Sequence, residues 1–281
     1  DADGYFRLEW EIDGPVPEGR WHAADLRIEE PAQVNAVAEV YIAPEASRFA
    51  VISDIDDTVM HTGVANKLGM MWRLFVQDSK SRTVFPGVSA LYRALHAGAS
   101  GDDGNPMLYV SRAPWGIYDV LEEFFRRHGI AEGPILILRE WGVSWRNPVP
   151  RRAEDHKRVL IEAIMDLYSD LPFVLIGDSG QHDPWVYREA VERHGDRILA
   201  VYIRDVTPKD ARIRAEIDAI AAAIREAGSD LVLSADTATM AEHAARRGLI
   251  LSDAAEAVRV RQAEALREAK GRRPVKTQPS C

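Results

Sequence analysis

Between residues 49 and 203, short continuous apolar runs alternate with stretches of helical periodicity, a pattern that few folds accommodate. A continuous apolar run of about four to eight residues is typical of a strand buried on both faces of a parallel sheet. The helical stretches can serve as the crossover connections that parallel strands require. We therefore predict an α/β fold with a doubly wound parallel sheet. The runs comprise residues 49–53, 107–110, 135–138, 173–176 and 198–203.

The sequence on either side of this alternation has a different texture. Residues 1–46 alternate apolar and polar side chains and are interrupted by Gly and Pro, which predicts a partial, β-rich N-terminal domain with a small antiparallel sheet. Residues 208–270 are rich in Ala, Arg and Glu, so we predict C-terminal helices that pack on the α/β domain of residues 47–207. The polar residues 271–281 are predicted to form a disordered tail.

Composition narrows the classes of function. The net charge of −9 argues against a nucleic-acid partner, because phosphate contacts need clustered Lys and Arg. The single cysteine, Cys281, excludes an internal disulfide, so we expect a cytoplasmic protein. The sequence begins at Asp1 with neither an initiator Met nor a signal-peptide pattern, and we expect its natural start to be missing together with any targeting signal. Oligomeric state stays open.

An acidic motif, Asp54-Ile55-Asp56-Asp57-Thr58, follows the first apolar run. Ligands of doubly wound sheets bind beyond the carboxyl ends of the strands, where this motif is predicted to lie. Asp54 and Asp56 can converge there on one phosphate, the first as nucleophile and metal ligand and the second as proton donor, if Mg²⁺ neutralises the charge. An acidic turn that caps the following helix is the alternative interpretation.

Other polar residues follow later strands. Ser111 and Arg112 come after the second run, where a hydroxyl and backbone amides entering a helix suit a phosphate, although an ordinary N-cap serine gives the same pattern. Lys157, near the start of a predicted helix, can neutralise the phosphate and Asp54, although a single lysine at a helix start is usually solvated. Asp178, in a glycine-bracketed loop after the fourth run, suits Mg²⁺, although a simple Gly-Asp turn is the alternative.

The order of these motifs resembles that of the haloacid dehalogenase-like phosphatases. The resemblance rests on Asp54-x-Asp56-x-Thr58, Ser111, Lys157 and the loop Gly177-Asp178-Ser179-Gly180-Gln181-x-Asp183, within about residues 49–205. It implies that Asp54 is the nucleophile and Asp56 the general acid/base. It also implies that Ser111 and Lys157 hold the phosphate.

The same resemblance assigns the metal site and its support. Asp54, the backbone carbonyl of Asp56 and the Asp178 carboxylate are implied ligands of Mg²⁺. Thr58 and Gly177 are supporting residues of the motifs, and Asp183 is implied to orient water on the metal.

Longer strings are more narrowly similar to the catalytic domain of the actin-patch phosphatidate phosphatases. They are Ser53-Asp54-Ile55-Asp56-Asp57-Thr58, Phe85-Pro86-Gly87, Tyr109-Val110-Ser111 and the loop from Gly177 to Asp183. This group also has a β-rich segment upstream of its catalytic domain. The resemblance implies phosphatidate, or another lipid phosphate, as the substrate.

The spacing of the motifs predicts an uncovered site. The intervals from Thr58 to Val110 and from Ser111 to Lys157 are too short for a large cap domain, since independently folded units typically need about 100 residues. An uncovered site suits a substrate that cannot be engulfed, such as a lipid head group, a protein or a nucleic-acid end. Residues 64–76 would form a helix with one broad apolar face, which we interpret as a peripheral membrane contact. Core packing or a subunit contact is the alternative.

These observations predict a Mg²⁺-dependent phosphatase that works through an aspartyl-phosphate on Asp54. The expected partner is a phosphorylated lipid head group or another phosphomonoester. A protein or small-molecule phosphatase with the same site is the first alternative. A lipid- or protein-binding module is the second, which the intact set of Asp54, Asp56 and Asp178 disfavours.

Overall fold

The structure, a computed structural model, describes residues 18–29, 33–60, 84–111, 115–137 and 153–271, together with Gly14 and Ala113. Three features of the sequence analysis lie outside these residues: Arg112, the apolar segment 64–76 and the polar tail from residue 272 onward. The chain divides into two compact units, Asp1–Ile42 and Ala43–Cys281.

The first unit contains an antiparallel pair of strands, β1 (Trp21–Ile28) and β2 (Val34–Tyr41). Their register places Trp21 opposite Tyr41 and Ile28 opposite Val34. The rings of Trp21 and Tyr41 meet edge to face with their centroids 5.1 Å apart, a cross-strand aromatic contact that stabilises the pairing. The small antiparallel segment expected from the alternating sequence is thereby confirmed.

In the described residues, the second unit is built on a parallel sheet of six strands. They are β3 (Ala50–Asp54), β4 (Met107–Ser111), β5 (Ile135–Ile137), β6 (Phe173–Asp178), β7 (Ile198–Arg204) and β8 (Leu231–Ser234). Their order in the sheet is β5-β4-β3-β6-β7-β8. The doubly wound sheet predicted from the apolar runs is confirmed.

Helices cover both faces of this sheet, which is why its strands are continuously apolar. Successive strand residues point to opposite faces, so Val51 belongs to one hydrophobic cluster and its neighbour Ile52 to the other. The helices are α1 (Val88–Ala97), α2 (Tyr118–His128), α3 (Ala153–Leu167), α4 (Asp183–His194), α5 (Ala211–Glu226), α6 (Thr237–Arg246) and α7 (Ser252–Gly271). Helices α1, α2, α6 and α7 pack in the first cluster, and α3, α4 and α5 pack in the second.

The strand order reverses beside β3. From β3 the chain builds outward through β4 to β5, then returns to place β6 on the other side of β3. At such a switch point the two connections leave in opposite directions and open a crevice beyond the strand ends. Asp54, the last residue of β3, lies at this point.

The C-terminal region departs from the purely helical expectation. Strand β8 occupies the edge of the sheet and pairs with β7 from Val201 opposite Leu231 to Arg204 opposite Ser234. This strand has only four residues, all partly buried, between two helices rich in Ala, Arg and Glu. Its apolar pattern is therefore too short to stand out from the surrounding helical periodicity. Helix α7 contacts α6 and α1, which joins the C-terminal region to the sheet.

Candidate active site

The first element of the site is the turn that follows β3. Asp54 is 2% exposed, and β4 and β6 flank it as the neighbouring strands of the sheet. Asp57 has φ 53, in the left-handed region that Asp tolerates better than most residues, and this conformation curls the chain back beyond the strand. The curl brings the Thr58 hydroxyl 3.4 Å from Asp54 Oδ2. The turn therefore holds the Asp54 carboxylate at the carboxyl end of β3.

The second element is the loop after β6. Asp178 Oδ1 accepts hydrogen bonds from the backbone N–H groups of Gly180 at 2.7 Å and Gln181 at 3.0 Å. These bonds close a local Asx-type turn and fix the direction of the carboxylate. Gly177 is required by close packing, because a Cβ at this position would lie 2.3 Å from Asp183 Oδ2. Asp183 begins α4 and accepts from the backbone N–H of Asp178 at 3.1 Å.

Lys157 joins these two elements. It comes from the first turns of α3 and is 5% exposed, so the sequence-based alternative of a solvated lysine is wrong. Its Nζ lies 2.7 Å from Asp54 Oδ1 and also bonds Asp183 Oδ1. Burial by itself lowers the pKa of Lys157, but the carboxylates of Asp183 and Asp54 outweigh burial and raise this pKa above its ordinary value. The lysine is therefore held as a cation.

Among the described residues, three carboxylates and one ammonium make up this cluster. One carboxylate oxygen from each of Asp54, Asp178 and Asp183 lies within 4.8 Å of the other two. Burial raises the pKa of Asp54 to about 7, against the opposing effect of Lys157. Burial and the neighbouring carboxylates of Asp183 and Asp54 raise the pKa of Asp178 to about 9. These raised pKa values mean that Asp54 and Asp178 can both be ionised only if the site receives more positive charge than the Lys157 ammonium supplies.

The donor atoms fit a metal ion. Asp54 Oδ2, the Asp56 carbonyl oxygen and Asp178 Oδ2 all lie within hydrogen-bonding distance of one atom, Nε2 of Gln181. Three oxygens that converge on one point, two of them from carboxylates, form a donor set typical of hard divalent cations. The described residues can therefore hold a metal ion at this edge of the sheet.

The other predicted site residues lie around this cluster. Ser111 is buried at the end of β4, one residue beyond Val110, which pairs with Asp54. Its Oγ accepts from the backbone N–H of Ala113 at 3.1 Å. Asp56 is also buried, 6% exposed, and its charge contributes to the raised pKa of Asp54. The structure thus brings Asp54, Lys157, Asp178 and Asp183 into direct contact or close approach and places Ser111 on the adjacent strand.

Sequence reasoning missed two residues at this edge. Gln181 was part of the quoted loop but received no role, and its half-buried side chain contacts three of the predicted cluster's oxygens. Arg204 ends β7 and is 3% exposed, with Nε donating to the Thr58 carbonyl at 3.1 Å. The only signal for Arg204 was a charged residue directly after an apolar run, which is also how an ordinary strand ends.

Arg204 is held by neutral groups. Its Nη2 donates to Thr237 Oγ1 at 3.2 Å and its Nη1 to the Ala235 carbonyl at 3.4 Å. The guanidinium carbon lies 4.2 Å from the ring centroid of Phe85, a cation–π contact. Burial lowers the pKa of Arg204 to about 10. The arginine thus connects the turn after β3 to the turn between β8 and α6.

The fold and the cluster define an α/β protein with a preformed, charge-dense centre at the switch point of its sheet. Residues 49–205 match the family model of the phosphatidate phosphatase APP1 catalytic domain. Because this match covers more than half of the chain, the protein belongs to that family.

Two fungal proteins show the extent of the similarity. Phosphatidate phosphatase APP1 of Saccharomyces cerevisiae is 30% identical over 211 residues, which cover 70% of this chain and 34% of the yeast protein. Uncharacterized protein C29B5.04c of Schizosaccharomyces pombe is 25% identical over 210 residues, which cover 73% of this chain and 34% of that protein. The chain therefore spans about a third of the length of these relatives.

In the described part of the chain, none of the helices combines the length and the apolarity needed to cross a bilayer.

Proposed function

We propose that this protein is a Mg²⁺-dependent phosphatase that hydrolyses phosphatidate or a related lipid phosphate through an aspartyl-phosphate on Asp54. The observation that carries the proposal is the contact of Lys157 with Asp54 Oδ1, at the strand end where the Asp178 carboxylate also converges. A carboxylate beside an ammonium and a cation-binding point can approach a phosphate dianion without prohibitive repulsion. Membership of the phosphatidate phosphatase APP1 family supports the choice of substrate.

The proposed reaction has two displacement steps. An oxygen of Asp54 forms a bond to phosphorus while the bond from phosphorus to the ester oxygen breaks, and Asp56 gives its proton to the departing alkoxide. Asp56 then accepts a proton from water as the water oxygen bonds to phosphorus and the bond to Asp54 breaks. The products are inorganic phosphate and, from phosphatidate, diacylglycerol. Lys157 and Ser111 bind the phosphoryl oxygens and keep them in line with the attacking group.

In this proposal Asp54, the Asp56 carbonyl and Asp178 would hold the metal. Mg²⁺ prefers oxygen ligands, and when bound there it supplies the positive charge that the cluster lacks. Asp183 is engaged through Oδ1 with Lys157 and through Oδ2 with the backbone of Asp178. We therefore propose that Asp183 positions the lysine and the loop, in addition to the water-orienting role that the resemblance implies.

The direct test measures phosphate release from phosphatidate in mixed micelles, with Mg²⁺ and with excess chelator. Asp54→Asn should lower kcat by about a thousandfold or more, because an amide is a poor nucleophile toward phosphorus. Asp218→Asn is the matched control, because it removes the same charge from an exposed position on α5. Substantial turnover by Asp54→Asn, or turnover that does not depend on Mg²⁺, contradicts the proposal.

The substrate class needs a separate comparison. Phosphatidate, phosphopeptides and sugar phosphates are offered to the wild-type protein under identical conditions. We expect the highest kcat/KM with phosphatidate. A preference for phosphopeptides or sugar phosphates would leave the proposed reaction unchanged. It would make the protein a protein phosphatase or a small-molecule phosphatase instead of a lipid phosphatase.

Membrane contact is a further part of the lipid proposal. It rests on the apolar segment 64–76, which lies outside the described residues. Replacing Trp72 and Phe75 with Ala should reduce binding to phosphatidate-containing liposomes while sparing hydrolysis of a soluble phosphate ester, because interfacial helices bind through their apolar face. Unchanged liposome binding would remove this segment from the proposal.

A further inference from the structure

The side-chain amide of Gln181 lies at the centre of the acidic cluster. Its Nε2 is 2.9 Å from Asp178 Oδ2, 3.1 Å from the Asp56 carbonyl oxygen and 3.4 Å from Asp54 Oδ2. The Asp56 carbonyl oxygen can only accept a hydrogen bond, so the nitrogen, and not the oxygen, of the amide must face the cluster. An amide nitrogen has two hydrogens for these three oxygens, and the longest contact is therefore weak.

A divalent cation bound by these three oxygens would occupy nearly the same point. Mg²⁺ binds oxygen at about 2.0–2.1 Å, so the ligands would draw in around it and leave no room for the amide nitrogen. The cation and the Gln181 amide are therefore mutually exclusive occupants of one position. The cation is the stronger of the two at sufficient concentration, because it carries two positive charges into a cluster of excess negative charge.

The loop that carries Gln181 is anchored independently of its side chain. The backbone N–H of Gln181 donates to Asp178 Oδ1 at 3.0 Å. Ser179 is bound to the end of β7, where its N–H donates to the Arg204 carbonyl at 2.9 Å, and its Oγ accepts from the N–H of Val206 at 2.9 Å. The backbone can thus stay in place while the half-buried side chain rotates away from the three oxygens.

We propose that Gln181 is a positioning residue that acts as a placeholder for the divalent cation of this site. Its amide holds Asp54, Asp56 and Asp178 in convergent positions until the cation binds, and it then leaves the cluster. Two effects follow from one set of hydrogen bonds: the cation-free cluster is stabilised, and cation binding is weakened because those bonds must break first. This inference rests on the metal site of the proposed function.

The test measures Mg²⁺ affinity by isothermal titration calorimetry of the full chain, rather than turnover. Gln181→Ala should bind Mg²⁺ more tightly, with Kd lowered on the order of tenfold, because hydrogen bonds to charged groups no longer oppose binding. Gln181→Met, which keeps the length of the side chain without its N–H groups, should shift Kd in the same direction. His182→Ala is the matched control, because His182 is the exposed neighbour of Gln181 and packs beside Trp185.

Unfolding provides a second readout on the same proteins. In excess chelator, Gln181→Ala should have a lower Tm than wild type, and saturating Mg²⁺ should largely remove the difference. A merely structural role would lower Tm equally in both conditions and would not tighten Mg²⁺ binding.

The outcomes separate this inference from the proposed function. Equal or weaker Mg²⁺ binding by both Gln181 variants overturns the placeholder while leaving the phosphatase proposal intact. A wild-type protein that binds Mg²⁺ but hydrolyses no phosphate ester overturns the function and leaves the placeholder to be decided by the change in Kd. If neither the wild type nor the variants bind Mg²⁺, the metal site assumed by both is wrong.

Discussion

Two buried cations at the same edge of the sheet are held in opposite ways. Lys157 contacts the carboxylates of Asp54 and Asp183, whereas Arg204 donates to two backbone carbonyls and the Thr237 hydroxyl and lies over the Phe85 ring. The pKa of the lysine is raised by its carboxylates, although burial opposes the rise, and the pKa of the arginine is lowered by burial.

The difference indicates separate roles: Lys157 serves the proposed reaction, and Arg204 stabilises the backbone around it. An ammonium is a compact charge, and beside two carboxylates it neutralises part of the cluster on which the proposed reaction depends. A guanidinium presents several N–H groups in a rigid plane, which suits it to join separate backbone segments through neutral acceptors. Because Arg204 uses those acceptors, it supports the turn after β3 without taking a carboxylate away from the cluster. The following variants test this division of roles.

The largest effect is expected from Lys157→Met. It leaves the Asp54 and Asp183 carboxylates buried without their ammonium, and removing one partner of a buried ion pair typically costs about 3–5 kcal/mol. Urea unfolding in excess chelator should show a loss of free energy of unfolding of that order, and saturating Mg²⁺ should recover part of it. The kcat for phosphate release should fall by about a hundredfold or more. Lys209→Met, at an exposed position, is the control.

A Lys157→Met protein with a free energy of unfolding within about 1 kcal/mol of wild type in chelator would contradict this account. It would mean that the carboxylates are neutralised by other means.

A smaller effect is expected from Arg204→Met. The loss of its hydrogen bonds to the Thr58 and Ala235 carbonyls and to Thr237 should lower the free energy of unfolding by about 2–3 kcal/mol. In contrast to the lysine variant, Mg²⁺ should recover little of this loss, because Arg204 is not part of the cation site. Arg204→Lys should recover only a minor part of the stability. An ammonium lacks the planar set of N–H groups with which the guanidinium bonds three separate acceptors at once. Full recovery by Lys would show that charge, rather than geometry, is what the position requires.

The smallest effect is expected at Tyr92, a buried residue of α1 whose hydroxyl contacts Ser53, the residue before Asp54. Ser53 Oγ donates to the Asp54 carbonyl at 2.7 Å, so the Tyr92 hydroxyl, 2.6 Å from Ser53 Oγ, must be the donor in that pair. Tyr92→Phe removes this one bond and should cost about 1 kcal/mol. Differential scanning calorimetry measures this loss, with Tyr168→Phe as the control because Tyr168 is a half-buried tyrosine just after α3, away from Ser53 in the sequence. A loss of free energy of unfolding as large as that of Arg204→Met would contradict this estimate and give Tyr92 a supporting role equal to that of Arg204.

Much of the fold and part of the site followed from local patterns. The continuous apolar runs predicted the parallel sheet, because a strand covered on both faces has no polar alternation. The acidic residues directly after those runs identified Asp54 and Asp178 as candidates, because strand ends of a parallel sheet share one edge. Lys157 was a candidate from its place near the start of the following helix and from the order of the motifs. Roles that the resemblance implied for Asp56, Ser111, Thr58, Gly177 and Asp183 stay predictions, as does that of Arg112 outside the described residues.

Other features could not be predicted because they depend on partners far apart in the chain. Arg204 bonds the carbonyl of a residue 146 positions earlier, and no pattern around either residue signals the other. Strand β8 is defined by pairing with β7 rather than by its four-residue sequence. The contact between Gln181 and the Asp56 carbonyl spans 125 positions, so the amide's place among the oxygens appears only once both loops are folded.

By itself, the sequence of this protein determined which residues end the buried strands and in what order they come. That order depends on the side-chain periodicity of each segment, a local property. Only the tertiary structure decided which charges meet, which oxygens converge on Gln181 and which cation is left to neutral partners. Those relations are set by the strand order and by the reversal at β3, where loops distant in sequence come within hydrogen-bonding distance.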